Sequence, residues 1–355
     1  MKNRDHAHSE IRLERGDPTA GANDTGLSGW GGRLVKNCGT NVCSVSGSVR
    51  QFCFGPHGTN PDDHDNSDVV DGNDTRNMGL YEYETDISTN NWRWNTRGNI
   101  SRALTSYYAA KAQEMSEDSP LRQIIQHEQS VRTFGRLVNQ RLESVPVPQA
   151  INDLYNSSSD NELSRTSFGR QIRNVYDVMA CEDLLQTNVI SADYSGWDHH
   201  RYMMDSIEPQ MEDIFGNGKG LHTLFDELRT NQAAKASRLS VLVYGEFGRQ
   251  LAANGDYGTD HGVGNYAIML GDRVNGGVYG DIFPTSEIAK FEESGADIVG
   301  LTSYEHIIAR ICEQLKTGRF HPEAVHHRIA KGASDGSSRG WLRNICRHLD
   351  NPMAE

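Results

Sequence analysis

The stretch Thr187–Met203, TNVISADYSGWDHHRYM, decides how the chain is read. Thr187 to Ile190 reads as a strand ending on the apolar pair Val189 and Ile190, and Ser191–Gly196 carries the chain on to Trp197, Asp198, His199 and His200. Two further stretches have the same construction. In LSVLVYGEFGRQ (239–250) an apolar run passes through Gly245 to Glu246 and Arg249; in DYGTDHGVGNYAIML (256–270) Asp260 and His261 stand ahead of the apolar run. In open parallel α/β sheets, ligands sit outside the carboxyl ends of the strands. Polar clusters at three strand ends therefore predict one shared site.

The flanking pattern supplies the helices for such a sheet. Residues 100–115, 119–145 and 166–185 repeat apolar positions at helical spacing, the second after a Ser-Pro start. A helical segment from Tyr202 to Arg229 is expected to break at Pro209 and at GNGKG (216–220), ahead of strands at 239–245 and 265–271. Residues 302–315 read as a closing helix. Helix, strand, helix, strand and hairpin predict an α/β fold with a mainly parallel sheet flanked by helices. As one domain, it divides into a loop-rich part (1–98), a helical cover (99–185) and a sheet with the motifs (186–355).

Hydrophobic residues make up only 36% of the chain, so the core is modest and the loops are many. A net charge of -13 argues against a phosphate-tracking nucleic-acid surface and suits a site that collects cations. No apolar run is long enough to span a membrane. The opening MKNRDHAHSEIRLERGD (1–17) is charged throughout, so read literally the protein is cytoplasmic. Among the six cysteines, Cys38, Cys43 and Cys53 cluster ahead of His57. That spacing fits a zinc knuckle, a disulfide or ordinary free thiols.

In extended backbone, residues two apart share a face, so Asp198 and His200 point together while His199 points away. A carboxylate and an imidazole converging from one segment suit a divalent cation: zinc, manganese or calcium. Glu246, Asp260 and His261 complete the candidate ligand set, with Arg249 and His6 as contacts for an anionic substrate. Each cluster alone also fits a local role. Asp198 can cap the following helix, Glu246 can pair with Arg249, and His261 can bond to nearby backbone.

GWDHH, YGEFGR, GTDHG and NGGVYG, in this order, resemble the bacterial family called domain of unknown function 1501, placed in the alkaline-phosphatase-like superfamily. NRDHAHSEIRLERG, SGWGGRL and TSYEHIIARICEQL are similar to its other segments, so the resemblance covers nearly the whole chain. It implies an alkaline-phosphatase-like fold with divalent cations at strand ends, and activity on phosphate or sulfate esters as a phosphatase- or sulfatase-like hydrolase. By position, Asp198, His200 and His261 match metal ligands. Glu246 stands where an aspartate is usual, and Phe247 replaces a histidine of the second cation. His199 and Gly245 replace the family's usual threonine and serine.

Family members begin with an export signal, then a strand, and the superfamily's first metal-binding aspartate and its hydroxyl nucleophile follow that strand. No such strand precedes Asn3–Glu10 here. The chain is therefore expected to be weak or inactive as an ester hydrolase, or a non-catalytic binding or assembly protein. It would be exported or periplasmic if the sequence is a fragment. A missing strand would leave an apolar sheet edge for a second chain, a homo-oligomer or the N-terminal loops to cover.

Overall fold

Small apolar residues in adjacent pairs build the sheet. The computed structural model describes residues 4–57, 60–65, 68–77, 103, 105–160, 168–279, 304, 307–308 and 311. In chain order the named elements begin with helices α1 (His6–Arg15) and α2 (Trp30–Cys38). Strands β1 (Asn41–Ser44), β2 (Gly55–His57), β3 (Asn60–Asp65) and β4 (Val69–Asp71) follow. Helices α3 (Pro120–Glu143), α4 (Gln149–Asp160) and α5 (Phe168–Ala180) precede β5 (Thr187–Ser191). Then come α6 (Met203–Phe215), α7 (Gly220–Asn231), β6 (Ser240–Val243), β7 (Gly248–Arg249), β8 (His261–Gly262) and β9 (Ile268–Gly271).

The protein is mixed α/β, with a three-stranded parallel sheet in the order β4-β1-β5. Its register aligns Val42 with Val69 and Val189, and Cys43 with Val70 and Ile190. Because side chains alternate along a strand, each face receives one member of every pair. Val42, Val69 and Val189 pack with Trp30, Leu34 and Val35 of α2 and with Phe52 and Ile308. Cys43, Val70 and Ile190 join the larger core of Leu142, Ile151, Tyr176 and Leu224, from α3, α4, α5 and α7. Helices therefore flank the sheet on both faces, as buried parallel strands require. No described helix is long and apolar enough to cross a membrane.

The central strand corrects one expectation. β1 and β4 lie within residues 1–98, which read as loop, so the sheet does not belong to the second half alone. β1 has only Val42 and Cys43 as apolar residues, set among Asn, Thr, Gly and Ser, and is too short to show a period. β6 pairs antiparallel with β9, rather than with β5, among the described residues. Helix α6 runs through Pro209, losing one helical hydrogen bond, and ends at Gly216. Of the expected closing helix, Tyr304, Ile307, Ile308 and Ile311 are described and are helical; Val278 and Tyr279 are the only described residues of NGGVYG beyond its turn.

Cys38, Cys43 and Cys53 are free thiols, as is Cys181. Burial pushes Cys43 up to about 12 and Cys53 up to about 11, so both stay protonated and pack as small apolar groups. The side chain of His57, Cys312 and Cys346 lie outside the described residues.

One polar strut ties the exit of β4 to the helical layer. Asp177 of α5 is fully buried and receives Arg76 Nη2 at 2.7 Å and Nε at 2.9 Å. The same guanidinium donates to the carbonyls of Leu142 (3.2 Å), in the last turn of α3, and Val145 (3.1 Å), just beyond it. Thr75 Oγ1 donates to Asp177 at 2.9 Å. Arg76→Ala would leave a buried carboxylate without its cation, and is expected to lower stability by about 3–5 kcal/mol. The double variant Arg76→Met/Asp177→Leu, with no stranded charge, should recover much of that loss. Urea unfolding midpoints measure both.

Candidate metal centre

Asp198 and His200 reach the site because the exit of β5 is fixed. Gln171 of α5 accepts from Asp193 N at 2.9 Å and donates to Asp193 O at 2.8 Å, which holds the first residues after the strand. Tyr194 and Trp197 pack onto the larger core, and Tyr194 donates to Asp213 at 3.1 Å. The chain then presents Asp198 and His200 together and turns His199 away. His199 Nε2 lies 2.7 Å from Gln210 Oε1 on α6.

Three imidazoles converge on the Asp198 carboxylate. His261 Nε2 and His200 Nε2 lie 2.9 and 3.0 Å from Oδ1, and His6 Nε2 lies 3.2 Å from Oδ2. The two nitrogens His200 Nε2 and His261 Nε2 are themselves 3.0 Å apart. Atoms from His6, Asp198 and His261 all lie within 4.8 Å of one another, close enough to share one ion.

The far side of each ring carries the electrostatic information. His261 Nδ1 meets the carbonyl of Arg4 at 2.6 Å, and a carbonyl can only accept, so Nδ1 carries a hydrogen. His200 Nδ1 meets Asp260 Oδ1 at 3.1 Å, and His6 Nδ1 meets Glu246 Oε1 at 3.0 Å. Carboxylates also accept, so these nitrogens donate too. In the neutral rings, all three Nε2 atoms are then lone pairs aimed at an anionic oxygen. Such a set repels itself unless positive charge sits among the Nε2 atoms, supplied either by protons or by a metal cation.

Arg249 closes the arrangement from outside. Nη1 donates to Asp198 Oδ1 at 2.6 Å, Nη2 to the carbonyls of His199 (2.9 Å) and Thr259, and Nε to Thr259 Oγ1 at 3.0 Å. Burial works against charge on Asp198, but Arg249, then His261, His6 and His200, hold its carboxyl well below the usual range. Asp260 is lowered as well, by Asn254 and then His200. Phe247 packs at 4.3 Å from the His261 ring and 4.8 Å from that of His6, an apolar wall on one side.

His6, Asp198, His200, Glu246, Arg249, Asp260 and His261 thus join one network, although the contacts differ from those expected. Asp198 does not cap α6, whose N-cap is Tyr202 with no side-chain bond. Arg249 pairs with Asp198 rather than with Glu246. Glu246 and Asp198 lie on opposite sides of the His6 ring. His6 enters from the far end of the chain because Asp5 caps α1 by accepting from His8 N at 3.0 Å. Glu14, further along α1, accepts from Arg50 Nε at 2.9 Å and so anchors the helix.

Asn254 was missed. Its Oδ1 accepts from Asp256 N (3.0 Å) and Gly258 N (3.1 Å), while Nδ2 donates to His200 O (2.9 Å) and Asp260 Oδ1 (3.3 Å). The signal was present as the Asn-Gly-Asp turn at 254–256, since Asn folds its side chain onto the backbone two residues ahead.

Four of the five N–H groups of an arginine are used by Arg249 on the site's own loops. Arg249→Met is therefore expected to lower stability by about 2–3 kcal/mol. Arg249→Lys should recover only part of this, because an ammonium lacks the planar fork. His199→Thr should cost less than either. Thermal and urea unfolding of the three variants measure the order.

Residues 96–293 match the sequence pattern of the family described as a protein of unknown function, DUF1501. That span contains Asp198, His200, Glu246, Arg249, Asp260 and His261, while His6 lies ahead of it. No curated protein and no solved structure matches the chain. With more than half of its length inside the pattern, the chain belongs to the DUF1501 family.

Proposed function

We propose that this chain is a metal-binding protein whose divalent cation is held by His6, Asp198, His200 and His261. The observation that carries this reading is the direction of the three imidazoles. Each has its Nδ1 committed to an acceptor and its Nε2 turned toward one carboxylate. Metal-bound histidines are backed in this way, the second nitrogen donating to a carboxylate or carbonyl that fixes the ring. Glu246, Asp260 and the Arg4 carbonyl supply that backing. Three nitrogens and one carboxylate suit zinc or manganese better than calcium, which favours six or more oxygens.

The reading parts from the sequence expectation in three roles. Glu246 and Asp260 orient histidines instead of contacting the cation, His6 is a ligand instead of a substrate contact, and Arg249 holds Asp198 in place. A cation bound here supplies a Lewis acid for a phosphate or sulfate ester oxygen, which is the chemistry the alkaline-phosphatase-like resemblance suggests. Two observations favour binding over efficient turnover. Phe247 offers no ligand for a second cation, and the hydroxyl of Thr259, next to the cluster, is buried and already accepts from Arg249. We therefore read the chain as a binder of small anionic ligands with weak or no ester turnover.

Protein stripped with chelator and reloaded with zinc or manganese is expected to hold about one equivalent, measured by elemental mass spectrometry. His200→Ala, His261→Ala and His6→Ala should each lower affinity at least about tenfold, and His199→Thr should leave it unchanged. Uptake releases protons, so affinity should fall as the medium is acidified. Equal metal content in wild type and all three alanine variants would contradict the assignment.

A further inference from the structure

The loops that carry His200 and Asp260 also carry a pair of exposed aromatic rings, Tyr202 and Tyr257, that the core does not explain. Tyr202 is 61% exposed and Tyr257 76% exposed, yet they stack on one another, centroids 6.1 Å apart and planes at 21°. Both have left-handed backbone, φ 45° at Tyr202 and 59° at Tyr257, a conformation bulky L-residues rarely adopt. Strain of this kind persists only where the surroundings over-determine it, and it gathers at ligand sites.

The surroundings here do over-determine it. Tyr202 N donates to Asp256 O and Met203 N to Tyr257 O, each at 3.1 Å, and Arg201 bridges Tyr257 in antiparallel fashion. Asn254 fastens this frame to the cluster through His200 O and Asp260 Oδ1. Gly258, next to Tyr257, lies so close to His200 that a Cβ would sit 2.2 Å from its carbonyl carbon. Only glycine fits, and the close approach joins the tyrosine pair to the segment carrying His200. An exposed stacked pair held on the site's own framework is a preformed surface for a flat ring.

We propose that Tyr202 and Tyr257 form a ring-binding subsite, selecting oxyanion ligands whose anionic group is attached to a ring with a flat apolar face. The proposal rests on the cation reading, which supplies the partner for the oxyanion. An aromatic ring and a pyranose share the face in question, and binding measurements tell them apart.

The experiment titrates zinc-loaded full-length protein with phenyl phosphate, a pyranose 6-phosphate, glycerol phosphate and inorganic phosphate, by calorimetry. One or both ring-bearing ligands should bind about tenfold more tightly than the two without a ring. Preference for phenyl phosphate identifies an aromatic ligand, and preference for the pyranose a sugar. Tyr257→Asn, which removes the ring at a position where asparagine tolerates the backbone, should abolish the preference with metal content unchanged. Tyr257→Phe should keep it. Equal affinity for all four ligands in metal-loaded protein would overturn the subsite alone. Failure to take up metal would overturn the cation reading and the subsite with it.

Discussion

The Asp198 carboxylate, facing three imidazole nitrogens and a guanidinium, is the interaction on which the site depends. Its Oδ1 meets His200, His261 and Arg249, and its Oδ2 meets His6. These partners come from the N-terminal helix, the segment after β5 and the short strands β7 and β8. Remove the carboxylate and all three Nε2 atoms lose the anionic oxygen they share. Arg249 shows how firmly the loops are joined, since the same guanidinium that meets the carboxylate also holds the carbonyls on either side of the site.

Holding those segments requires rigid supports, and the fold provides them at two levels. Val42 and Cys43 pin the parallel sheet between two helical layers, which sets where β5 ends. Gln171 and Asn254 then fix the backbone after β5 and before β8 with side-chain bonds. The N-terminal helix is clamped by Arg50 on Glu14 and by Tyr304, which donates to Arg12 O at 2.9 Å. His6 therefore arrives on an anchored element, and a side chain from one end of the chain meets Asp198 alongside those that follow β5 and begin β8.

That Asp198, His200, Glu246, Arg249, Asp260 and His261 converge is legible in the sequence, and which of them touch one another is not. Acid and histidine residues after apolar runs announce themselves, because strands end where alternation gives way to Gly and polar side chains. Whether a carboxylate meets a cation or braces a histidine depends on about one imidazole width of displacement, which residue order does not encode. His199 was separable from His200 because alternation alone sends neighbours to opposite sides. β1 is illegible for the opposite reason: its two apolar residues are too few to form a pattern, and its burial comes from partners far away in the chain. Tyr202 and Tyr257 carry no signal at all in sequence, since their left-handed backbone appears only once the loops meet.

X-ray absorption at the metal edge of zinc-loaded protein reads whether histidine nitrogens surround the cation. A cation held by His6, Asp198, His200 and His261 gives a shell of nitrogen and oxygen at about 2.0–2.2 Å with the multiple-scattering signature of imidazole, weakened by one ring in His6→Gln. A shell of oxygen alone, or an imidazole signature unchanged in that variant, would contradict it.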